Sequence, residues 1–299
     1  MVDEPDEFEA VRSRLISRLA VGASVGSLSW SGGDTEVLEL GSGRPLLLIH
    51  GGLSSSCEWV PIMSALAEDH RVFAVDQPGH GGADAFDYTG VDLNGHSVRF
   101  VEEVLDGLGL HESAIMANSI GGLLAARFAE SSPDRVTRLV FAGFPAGLRR
   151  KAPLPFRLLA LPGLARLALG NPNPKASRKF MRDGLAVAHP ELLPDELIDC
   201  DVSNTQRHLK SFVSLVKRIS GIGGLRPQWL LGDSWRRMPD GTTILWGDNE
   251  PWATPQWGMT MLAELDAEIR IVPIPGAGHL PWWDQPELVV QEAKLALNG

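Results

Sequence analysis

The sequence predicts an α/β fold: a mainly parallel sheet with helices on both faces and a helical insertion between two late strands. Three observations predict it. Short apolar runs lack in-and-out alternation, as strands covered on both faces do. Helical patterns stand between those runs, so strand and helix alternate along the chain. Glycine-rich turns follow several runs directly, at the carboxyl ends where such sheets open their ligand crevice.

The elements follow in order. Residues 6–20 carry Phe8, Val11, Leu15 and Leu19 at helical spacing. Two short strands are expected at 27–30 and 36–40, across the turn Ser31-Gly32-Gly33-Asp34. Apolar runs then predict strands at 46–49, 71–75, 113–117, 138–141, 242–246 and 269–274. The first of these ends at His50-Gly51-Gly52, the second at Asp76 before Pro78-Gly79-His80-Gly81, and the third at Asn118-Ser119-Ile120-Gly121-Gly122. Helices are expected at 59–67, 97–108, 121–130, 255–265 and 284–297. From about 146 to 240 the alternation stops. That stretch is rich in Leu, Arg and Pro, reads as several helices without a strand, and is expected to form a lid over a core built from 1–145 and 241–299.

Composition narrows the function. The 299 residues are 44% hydrophobic and 21% charged, a globular profile long enough to bury a sizeable core. A net charge of −10 argues against nucleic acid as a partner, since phosphate binding needs surplus cations. The two cysteines, Cys57 and Cys200, match no zinc or redox spacing, and the histidines show no metal-like spacing; no metal or cofactor is expected. The acidic first residues are unlike a signal peptide, and the greasiest stretch, 154–169, is too interrupted to span a bilayer. A cytoplasmic protein of undetermined oligomeric state is expected, with a small-molecule substrate and no stable membrane insertion.

The chemistry-bearing motif is Ala117-Asn118-Ser119-Ile120-Gly121. A serine on a tight strand-to-helix turn needs small residues two before and two after it, and the helix that follows offers free N–H groups beside the hydroxyl. Glycine is usual where Ala117 stands. An ordinary N-cap serine gives a similar string, so the rest of the chain must decide. His50-Gly51-Gly52 lies where a second oxyanion donor is required. A candidate acid lies in Trp246-Gly247-Asp248-Asn249-Glu250-Pro251, and His279 follows in Gly276-Ala277-Gly278-His279-Leu280-Pro281. Nucleophile, acid and histidine therefore come in the order of this class of triad.

On residues 39–52, 76–81, 117–122, 245–255 and 276–286 the chain resembles the α/β-hydrolase fold superfamily in its lidded form. The resemblance implies Ser119 as nucleophile, His279 as general base, and the backbone N–H groups of Ile120 and Gly52 as oxyanion donors, with Leu53 the alternative to Gly52. It implies Glu250 as the acid, three residues after Gly247, where Asp is commoner. Asp248 is the competitor, otherwise a turn residue. Dehalogenases and epoxide hydrolases on this scaffold carry a carboxylate where Ser119 stands, so the serine implies acyl transfer. His50 is expected to prop the oxyanion loop and His80 to serve turn architecture.

Trp59, Trp252, Trp282 and Trp283 adjoin the motifs, and with Asn118 and Leu280 are the candidates for the pocket wall. Between Arg149 and Arg182 stand nine basic residues and no acidic one, a local positive field on what is by default a solvated helix face. The reading is a serine hydrolase of a mainly apolar carboxylic ester or lactone. The rival is a carbon–carbon bond hydrolase of the meta-cleavage-product type, which the resemblance implies would hold a dienoate carboxylate through an Arg. An acyltransferase or thioesterase, and a non-catalytic ligand receptor on the same fold, are the remaining alternatives.

Overall fold

The computed structural model describes residues 6–161, 163–183 and 186–299. Helix α1 (Glu7–Leu19) is capped by Asp6, whose carboxylate accepts from the Phe8 and Glu9 amides. Strands β1 (Ser24–Trp30), β2 (Gly33–Gly41) and β3 (Arg44–Ile49) follow. Then come α2 (Val60–Leu66), β4 (His70–Val75), α3 (Leu93–Gly107), β5 (Ser113–Ala117), α4 (Ser119–Ser131) and β6 (Val136–Ala142). Helices α5 (Leu154–Leu159), α6 (Leu164–Leu169), α7 (Pro174–Asp183) and α8 (Asp195–Ile219) occupy the stretch before β7 (Ser220–Gly221) and β8 (Gly224–Leu225). The chain closes with β9 (Thr243–Gly247), α9 (Pro255–Glu264), β10 (Arg270–Ile274), α10 (Pro281–Asp284) and α11 (Pro286–Asn298).

The main sheet has eight strands in the order β1-β2-β4-β3-β5-β6-β9-β10. Pairing is antiparallel at β1–β2 and β2–β4 and parallel from β4 onward. The unalternating runs have the expected cause. Leu46, Leu48, Val72, Ala74 and Met116 pack into one core with Trp59, Trp282 and residues of α1 and α11. Their neighbours Leu47, Ile49, Phe73, Val75 and Ile115 pack into a second core with residues of α3 and α4. Successive side chains point to opposite faces, and here both faces are dry.

Three local expectations change. The expected helix at 97–108 starts earlier, because Asp92 accepts from the Asn94 and Gly95 amides and Leu93 is buried. The expected helix at 284–297 is preceded by a separate short one, since Pro286 cannot continue the earlier turn. The stretch 146–240, expected to lack strands, contains a two-residue antiparallel pair, β7–β8. Gly224, at φ 95°, takes a left-handed conformation that closes this hairpin.

Helix α8 is fastened to the core by side chains that bond backbone. Asn204 accepts from Gly81 N (2.7 Å) and donates to Leu53 O (3.2 Å). Ser211 and Ser214 accept from Phe86 N and Tyr88 N. The basic stretch is partly spent locally: Arg178 meets Asp195 at 2.6 Å, Lys179 meets Asp183, and Arg149 donates to Trp252 O at 2.7 Å. Among the described residues, no helix is long and apolar enough to cross a membrane.

Candidate active site

Strand β5 ends at Ala117, and the chain turns so sharply into α4 that Ser119 is held at φ 50°. A non-glycine residue there is strained, and such strain persists only where surrounding packing imposes it. Gly121 permits the approach: a Cβ at that position would collide with the carbonyl oxygens of Ile49 and His50 at the end of β3. The small residue two places after the serine is therefore required by the packing of α4 against β3.

Glu250 and His279 are brought together from the loops after β9 and β10. The ring Nδ1 of His279 lies 2.8 Å from Glu250 Oε2 and 3.0 Å from Oε1. The carboxylate also accepts from Phe144 N (3.1 Å) and Trp252 N (3.3 Å), and its side chain is wholly buried. Asp248 is turned elsewhere, accepting from Gly276 N at 2.8 Å. Asn118 ties the serine turn to the histidine loop, its Nδ2 donating to Ala142 O (2.6 Å) and His279 O (3.1 Å). Gly143 makes room for that carbonyl, since a side chain there would strike His279 O.

Ser119 and His279 face one cavity of about 170 Å³, whose remaining wall includes Phe156, Leu159, Phe212, Leu215 and Trp252. They also face a second cavity of about 100 Å³ with Asn118, Leu280 and Trp283 in its wall. No hydrogen bond joins Ser119 Oγ to His279, although both residues line the same two cavities. Trp59 and Trp282, expected in the pocket wall, are instead stacked on each other with centroids 4.2 Å apart and wholly buried. Adjacency in sequence misled because α10 turns Trp282 inward, where its Nε1 donates to Glu58 O.

The loop after β3 is held by neutral histidines. Burial pushes the His50 imidazole down to about 4, and His80 is held well below its ordinary value by burial and by His50. His50 Nδ1 donates to Gly51 O and its Nε2 accepts from Gln77 N (2.9 Å). His80 Nδ1 donates to Pro78 O, and its Nε2 accepts the Leu53 amide at 3.3 Å. Leu53, at φ 60°, thus has its N–H engaged. The N–H groups of Gly52 and Ile120 donate to no protein acceptor among the described residues, Ile120 lying in the unpaired first turn of α4.

Asp76 and Asn204 were not singled out by the sequence, yet both shape this loop. Buried Asp76 accepts from Ser56 N (2.6 Å) and Gly82 N (2.9 Å) and lies 3.6 Å from buried Arg12. Asp76 directly follows a strand, which was the available signal; Asn204, in mid-helix, offered none.

Residues 46–292 match the model of the alpha/beta hydrolase family. The chain is 26% identical over 268 residues to a 2-hydroxy-6-oxo-6-phenylhexa-2,4-dienoate hydrolase of Burkholderia cepacia, covering 83% of this chain and 86% of that one. It is 27% identical over 297 residues to a 2-hydroxy-6-oxononadienedioate/2-hydroxy-6-oxononatrienedioate hydrolase of Paraburkholderia phymatum, covering 96% of each. In structure it is similar to carboxylesterase CesB from Bacillus subtilis, with a TM-score of 0.72 at 20% identity over 97% of this chain and 96% of that one.

Proposed function

The chain belongs to the alpha/beta hydrolase family, and on that premise we propose that it is a serine hydrolase cleaving a carboxylic ester or lactone with a large apolar part. The observation that carries this reading is the wall shared by Ser119 and His279, with Glu250 fixing the imidazole from behind. In the proposed mechanism, Glu250 accepts a hydrogen bond from Nδ1–H, which keeps the proton on Nδ1 and leaves Nε2 as the base. His279 takes the Ser119 proton as Oγ attacks the carbonyl carbon. Negative charge gathers on the carbonyl oxygen, where the Gly52 and Ile120 N–H groups stabilise it. The imidazolium returns its proton to the departing alcohol oxygen, and water activated by the same imidazole releases the acid. The stretch 146–240 serves as the lid, with Phe156, Leu159 and Phe212 receiving the apolar part.

The carbon–carbon hydrolase reading is favoured by the names of the relatives. Against it stands the wall of both cavities: no Lys or Arg lines either one among the described residues. A dienoate carboxylate would enter without a counter-charge, which is costly.

A fluorophosphonate probe tests the first claim. We expect stoichiometric labelling of the wild type and a loss of at least about 10³-fold in Ser119→Ala. Comparable labelling of both rejects the assignment. Comparing p-nitrophenyl butyrate with a meta-cleavage dienoate separates the two substrate readings, and faster turnover of the dienoate overturns ours.

A further inference from the structure

The smaller cavity has a chemistry of its own. Its wall includes Glu58 and Asp201, and among the described residues it includes no Lys or Arg. Glu58 is only 1% exposed; its Oε1 accepts from Gly51 N at 3.2 Å while its Oε2 has no partner. Asn118 is also 1% exposed, and since its Nδ2 is spent on two carbonyls its Oδ1 is left without a donor. Asp201, partly buried on α8, accepts from Ser177 Oγ with one oxygen. Phe180 and Trp283 complete the relevant wall.

Buried acceptors left unpaired are uncommon, and each invites a partner. Here Asn118 Oδ1 is an unpaired acceptor, Asp201 has a second carboxylate oxygen beside the one bonded to Ser177, and no Lys or Arg of the wall answers them among the described residues. A hydroxyl would satisfy one. An ammonium group carries three donors and no acceptor, and it also gains from aromatic faces nearby.

We propose that this cavity is a subsite for a protonated amino group of the substrate, held by Glu58, Asp201 and the Oδ1 of Asn118. The inference deepens the serine-hydrolase reading and rests on it for the meaning of a subsite beside Ser119. The charge state fits a single cation. Burial raises Glu58 to about 8 and Asp201 to about 6. Near neutrality Asp201 is therefore mainly ionised and Glu58 mainly protonated, so the pair carries close to one negative charge. His279, the titratable base in the same wall, is directed through Nδ1 to Glu250 and competes for neither acid.

The test compares propylammonium, 1-propanol and propionate, alike in length and different in charge. Each is titrated calorimetrically into the full chain and used to protect Ser119 from a fluorophosphonate. We expect propylammonium to protect at a concentration about tenfold below that of 1-propanol, with propionate weakest. Asp201→Asn, which removes the charge, should reduce that advantage to within about twofold. Glu58→Gln, which matches the protonated carboxyl in charge, should keep it within about twofold of the wild type. Loss in Glu58→Gln with retention in Asp201→Asn overturns the assignment of the charge. Equal protection by the amine and the alcohol, or better protection by propionate, overturns the subsite. If Ser119 takes no label, calorimetry decides alone: propylammonium binding then keeps the subsite while the serine reading falls, and no binding removes both. The wild-type comparison needs no variant, so misfolding of either substitution leaves the test intact.

Discussion

The two cavities that meet at Ser119 differ in what they ask of a substrate. The larger is walled by Phe156, Leu159, Phe212, Leu215 and Trp252, so binding there scales with apolar area and discriminates weakly. The smaller is walled by Glu58, Asp201 and Asn118, whose Oδ1 is unpaired, and polar groups left unmatched there are penalised. On the proposed function, the contrast teaches that one reaction centre can take breadth from one side and selectivity from the other. Both draw on helix α7, since Phe180 lies in both walls.

Changes at the shared centre should affect the two sides alike. Glu250→Gln removes the acceptor of the His279 Nδ1 proton and favours the wrong tautomer. Turnover should fall about 10³- to 10⁴-fold for every substrate, while Asp248→Asn, which alters only the Gly276 turn, should stay within about threefold. Steady-state kinetics of the two variants check this, and the reverse ordering would transfer the role to Asp248. A smaller effect separates the cavities. Phe156→Ala should lower kcat/KM for long-chain esters about tenfold, largely through KM. The preference for an amino-bearing ester over its neutral counterpart should not move. If that preference falls in step with chain-length selectivity, the cavities act as one.

The smallest expected effect concerns stability. Glu58 has its folded-state value raised to about 8 by burial. Between its ordinary range near 4.5 and that value, the folded chain holds a proton that the unfolded chain has released. This contribution to stability is fully present at low pH and is lost as pH rises through that window. Glu58→Gln never ionises, so its stability relative to the wild type should improve from pH 5 to pH 8, by about 1 kcal/mol or more. Urea midpoints at the two pH values read this directly. A constant difference would mean that Glu58 is solvated and not buried.

The sequence by itself determined the central strands, because burial on both faces forces unbroken apolar runs; the exposed edge strand β1 was marked instead by the turn Ser31-Gly32-Gly33-Asp34 that pairs it with β2. It also carried the Ser119 turn, because a strained turn and a close helix approach admit few residue types; that Glu250 and not Asp248 lies beside His279 was decided by the fold. Which tryptophans reach a cavity was decided only in three dimensions. Trp252 and Trp59 both follow a motif closely, yet one lies at the cavity and the other is stacked beneath it. Helix α8 likewise shows no local sign that Asn204 holds the loop after β3, or that Asp201 shares a cavity wall with Glu58. Local patterns report whether a side chain is buried, through the free energy of leaving water. They carry no record of what it is buried against, which is set by contacts between segments far apart in the chain.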